Sequence, residues 1–125
     1  MAKAKQKVDP VDPGSDEADQ IRKAFGDHVN MTAKELEDWL GTEASSSVGQ
    51  RDGGGESVGH DSGRRIVAIL RKKRDELTAA DVGHMKKVNG YVKRHLAQRP
   101  DKSRDELEES AWTRSLRNWG HDPLK

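Results

Sequence analysis

Residues 62–99 read SGRRIVAILRKKRDELTAADVGHMKKVNGYVKRHLAQR, and this stretch decides the fold. Ile66, Ile69, Leu70 and Leu77 recur at helical spacing, with the aliphatic stem of Lys73 filling the gap in the stripe. The spacing predicts one helix from near Ser62 to Leu77. Thr78 is then an N-cap, with Asp81 three residues on as its capping-box partner and Leu77 with Val82 as a hydrophobic staple. Val82, Met85, Val88, Val92 and Leu96 form the inner face of the helix that follows, which Arg99-Pro100 ends. Almost no loop separates Leu77 from Thr78, so the two helices are expected to form a tight αα-hairpin or corner.

The same signals extend in both directions. Ser15 caps a helix whose first turn carries Asp16, Glu17 and Asp19, and Ala18, Ile21, Phe25 and Val29 follow helical spacing; Gly26 weakens its end. Thr32 and Glu35 make a second capping box, Met31 and Leu36 a staple, and Gly41 closes a short helix that aligns Leu36, Trp39 and Leu40. Ser103 and Glu106 make a third box, opening a helix through Leu107, Ala111, Trp112 and Leu116 that Gly120 and Pro123 stop. Residues 1–14, polar and broken by Pro10 and Pro13, read as a flexible tail. Residues 41–63 are rich in Gly, Ser and charge and lack periodicity; Ser47-Val48-Gly49 returns as Ser57-Val58-Gly59. A loop of that length is expected to be functional or disordered. The expectation is an all-α fold: one domain over 15–125, about five short helices around a basic hairpin at 64–99, and a Gly-rich loop at 41–63.

Composition narrows the function classes. The chain has 125 residues, 31% hydrophobic and 36% charged, against roughly 25% charged in ordinary domains. One modest core fits these figures, and a deep apolar pocket does not. With no cysteine, disulfides, thiolate zinc sites and Cys nucleophiles are excluded. No apolar run approaches spanning length, and the basic start MAKAKQK has no apolar stretch behind it, so a cytoplasmic protein is expected, without membrane attachment.

The net charge of +1 conceals a strong segregation. Residues 9–43 hold ten acids and three bases, whereas residues 64–99 hold eleven Lys or Arg and three acids. The basic set is Arg64, Arg65, Arg71, Lys72, Lys73, Arg74, Lys86, Lys87, Lys93, Arg94 and Arg99. The plain reading is two solvated faces, or faces paired with the acidic N-terminal helices. The sharper reading is a duplex-DNA surface built on phosphate contacts, with Arg64 and Arg65 anchoring phosphate at a helix N-terminus that follows a Gly-rich loop. Arg71, Lys72, Arg74, Lys86, Lys87, Lys93 and Arg94 would then supply the field, and nucleoid association would follow. With one Tyr, one Phe and three Trp, stacking on single strands has little material. The alternative is a protein–protein module: a homodimer in which acidic and basic segments pair between chains, or a stress-related accessory factor.

Gly59-His60-Asp61 and Gly120-His121-Asp122 repeat one tripeptide. If the two meet, His60, Asp61, His121 and Asp122 are weak metal or acid–base candidates, with His95 nearby. The simpler reading is that glycine turns a helix end and Asp caps a turn. No HExxH spacing or nucleophile elbow is present, so no enzyme and no cofactor is expected.

MTAKELEDWL (31–40) is loosely similar to the first helix of the SAP DNA-binding motif, but the second SAP helix does not follow at the right distance. NMTAKELEDWL, SVGQ, GGESVGHDSGRRIVAIL, VKRHLAQRP and SLRNWGHDPLK, in that order, resemble the family catalogued as domain of unknown function 3140. The resemblance implies a domain that includes both Gly-His-Asp elements, and some members carry a DNA-binding label. It assigns no catalytic or ligand residue.

Overall fold

Local signals place most helix starts where the side chains demand them. A computed structural model describes residues 9–47 and 58–125, and among these the regular structure is entirely helical. The elements are α1 (Asp16–His28), α2 (Ala33–Leu40), α3 (Glu43–Ser46), α4 (Val58–Leu70), a 3-10 turn (Arg74–Glu76), α5 (Ala79–Leu96), α6 (Arg104–Glu108) and α7 (Ala111–Asn118). Ser15 Oγ accepts the Ala18 amide at 3.1 Å. Thr32 and Glu35 satisfy each other's backbone amides at 3.1 and 2.8 Å, as do Thr78 with Asp81 and Ser103 with Glu106.

Two helices are shorter than periodicity predicts. The expected helix to Leu77 ends at Leu70, and residues 71–78 form a connection containing the 3-10 turn. Residues 71–76 are all charged and all exposed, Lys73 included, so nothing between Leu70 and Leu77 anchors a helical stripe on the core. α4 and α5 therefore do not form a tight hairpin. α5 packs chiefly on α1, and α4 chiefly on α2. The expected helix after Ser103 divides at Glu109, because Ser110 caps a new one by accepting the Thr113 amide at 3.2 Å. Seven α-helices among the described residues thus stand where about five were expected.

The core joins Ile21 and Phe25 of α1, Leu36 of α2, Ile66 of α4, Val82, Val88 and Val92 of α5, Leu107 of α6, and Leu116 and Trp119 at α7. Leu96, expected inside, is 36% exposed. Residues 9–14, expected in the flexible tail, lie against the body: Val11 is buried and its amide bonds Ala79 O at 3.0 Å. The expected loop at 41–63 is partly helical, with α3 capped by Thr42 and residues 58–63 inside α4. Residues 1–8 and 48–57, with the rest of that tail and loop, lie outside the described residues.

α4 reaches its neighbours through small side chains. A Cβ added to Gly63 would stand 2.6 Å from Asn118 O and 2.7 Å from Leu40, and one added to Gly59 would stand 3.2 Å from Trp119 Nε1. Behind this seam, Asn118 ties three elements together. Its Oδ1 accepts from Trp39 Nε1 at 2.8 Å and Ser45 Oγ at 2.5 Å, and its Nδ2 donates to Ser45 O at 3.1 Å.

Candidate nucleic-acid interface

The basic residues read from sequence divide by their surroundings. Arg64 and Arg65 lie more than a turn inside α4, not at its start, so the phosphate anchor expected at a helix N-terminus is not formed by them. Arg64 is exposed, while Arg65 pairs with Asp61 one turn back at 3.3 Å. Lys87 is half-buried, and burial together with Arg65 holds its pKa below the ordinary lysine value.

Three more cations meet the acidic N-terminal helices. Arg71 makes a two-pronged contact with Glu37, at 3.0 and 3.1 Å. That contact holds the Glu37 carboxyl below its usual range and raises Arg71. Arg74 reaches Asp19 at 2.8 Å, and Lys86 reaches Glu17 at 2.8 Å, which raises the lysine. Lys72 pairs instead with Asp81 at 2.6 Å, on its own side of the connection. The intramolecular pairing of acidic front and basic segment is therefore present at three points.

Lys93 and Arg94, in the last turn of α5, are exposed, and no carboxylate among the described residues pairs with either. Their charge complements the negative end of the helix dipole. Farther on, the Arg99 guanidinium stands 5.8 Å from the Trp112 ring centroid.

The two Gly-His-Asp elements share a structural task. His60 Nε2 bonds Leu40 O, the last carbonyl of α2, at 2.7 Å. His121 Nδ1 bonds His28 O, the last carbonyl of α1, at 2.6 Å. Each imidazole thus caps a helix C-terminus in place of the backbone bond that the helix lacks there. Gly120 takes φ +83, with Val29 and Ile66 close against it. Asp61 pairs with Arg65; Asp122 Oδ1 accepts the Leu124 amide at 3.0 Å and faces Arg117 at 3.4 Å. Among the described residues no group of three or more His, Asp or Glu could hold a metal ion. His95 instead stacks on Tyr91 at 4.8 Å, and Tyr91 on Trp119 at 4.0 Å.

Arg22 and Lys23 carry no site signal in the sequence, because they sit as isolated bases inside the acidic segment. The structure turns Arg22 toward Arg74, with Asp19 between them. The helical offset between Asp19 and Arg22 is local, but their partner is more than fifty residues away.

No described helix is long and apolar enough to cross a membrane. No curated protein and no solved structure matches the chain. Residues 24–117, which take in the last five residues of α1, α2 to α6 and nearly all of α7, match the family described as protein of unknown function (DUF3140), and the chain belongs to that family.

Proposed function

We propose that this protein binds duplex DNA inside the cell, on the nucleoid, without catalysis, through phosphate contacts that tolerate sequence. The observation that carries the reading is the pair Lys93 and Arg94: exposed, adjacent, and without a carboxylate partner among the described residues. Lys86 lies two helical turns before Lys93 on the same side of α5. Its bond to Glu17 is surface-exposed and screened by solvent, so a phosphate can replace the carboxylate at little cost. Arg71 and Arg74 extend the same basic segment in exposed pairs of the same kind, and Lys72 lies between them, held by the partly buried Asp81.

Binding of a labelled duplex, followed by fluorescence anisotropy as potassium chloride is raised, tests this. Log affinity should fall linearly with log salt, by about 0.9 per phosphate contact. Replacing Lys93 and Arg94 by Gln together should reduce that slope by about 2 and weaken all duplex sequences alike. Binding that is absent at low salt, or indifferent to salt, ends the proposal.

A further inference from the structure

A groove separates the N-terminal segment from the connection between α4 and α5. It is an open hollow of about 590 Å³ lined by Pro13 on one side and Arg74 and Leu77 on the other. Along α1 it opens into a second hollow of about 460 Å³, which shares Asp19, Arg22 and Arg74 with it and reaches Lys23 and Met85.

The charges in this groove are built in. The Arg22 side chain is only 14% exposed. Its guanidinium is fixed by Pro13 O at 3.0 Å and by Asp19 Oδ1. Arg74 crosses from the opposite wall and donates to the same oxygen at 2.8 Å. Two guanidinium groups carry ten N–H donors between them. Three bonds use them here, and the rest have no acceptor among the described residues. Three cations and two carboxylates, Asp19 and Asp75, leave the lining one positive charge in excess.

We propose that this groove binds a carboxylate of an acidic peptide segment on a partner protein, with Arg74 and Arg22 as the receiving fork and Asp19 as the internal occupant that the ligand displaces. The planar fork suits a carboxylate, and it already holds one. The single positive charge in excess favours an anionic ligand over a neutral one. Leu77 and Met85 offer apolar contact to the residues beside the acid. The groove shares Arg74 with the proposed DNA surface, but Lys93 and Arg94 lie outside its lining, so a change at those two residues separates peptide binding from DNA binding.

The test uses the full chain and a fluorescent hexaglutamate peptide, with hexaglutamine, inorganic phosphate and duplex DNA as competitors at matched ionic strength. Hexaglutamate should bind and hexaglutamine should not compete. Arg74→Gln, at an exposed position, should weaken binding roughly tenfold. Asp19→Asn should tighten it several-fold by removing the internal competitor. Lys93→Gln with Arg94→Gln should leave it unchanged. The proposal is overturned if Arg74→Gln and the Lys93/Arg94 variant weaken the peptide equally, if phosphate or duplex DNA competes as well as hexaglutamate, or if Asp19→Asn fails to tighten binding.

Discussion

One added methyl group measures how closely α4 lies on α7. At Gly63 a Cβ would meet a backbone carbonyl, Asn118 O, and the branched end of Leu40, both under 3 Å. The carbonyl cannot move without disturbing the end of α7, so overpacking should cost about 1–3 kcal/mol. Urea denaturation of Gly63→Ala measures this, and an unchanged midpoint would show that the seam is slack. A second residue reports through pH. His84 is 2% exposed, its Nε2 lies 3.0 Å from Ser62 Oγ, and its Nδ1 has no hydrogen-bond partner among the described residues. Burial, reinforced by Arg65 and Lys87, lowers its pKa from 6.5 to about 4. The imidazole is thus neutral in the fold and protonates more readily in the unfolded chain. Its contribution is complete above pH 6.5 and declines as pH falls to about 4, by about 3 kcal/mol in all. Comparing urea midpoints at neutral pH and near pH 4.5 for wild type and His84→Gln checks the sign: the variant should lose less stability on acidification. Equal losses would remove His84 as the cause.

At the scale of elements, the acidic and basic segments confront each other through Glu17–Lys86, Asp19–Arg74 and Glu37–Arg71. All six side chains are more than half exposed, so the pairs contribute little stability and compete directly with any polyanion. The triple change Glu17→Gln, Asp19→Asn, Glu37→Gln should leave the urea midpoint nearly unchanged yet tighten duplex DNA binding by roughly tenfold at low salt. Added net charge alone would also help, so the control is Asp101→Asn, Asp105→Asn, Glu108→Gln, at exposed positions that make none of these pairs. If both triples tighten binding equally, the ion pairs do not mask the surface. The helix starts behind this arrangement were legible because a capping box is closed within four residues, as at Thr32, Thr78 and Ser103. The helix ends were not. α4 stops at Leu70 because the charged residues after it reach nothing in the core, and α6 stops because Ser110 caps a new helix; periodicity carries no record of either.

Across the whole molecule, the division between sequence and structure follows the range of the forces. The chain's own order of residues determined an all-helical fold, its caps, most of its core stripe and the separation of acidic from basic segments, because propensity, capping and charge count are local or additive. Only the tertiary structure decided which charges meet. It joined Asp19 to Arg74 and Glu37 to Arg71 across long sequence separations, and it placed His60 and His121 on the ends of two other helices. It also moved Arg64 and Arg65 from a helix start into a helix interior, which removed the anchor that sequence suggested. A side chain's partner depends on how whole helices pack, and that packing is set by shape at positions such as Gly63 and Asn118 rather than by the charges it brings together.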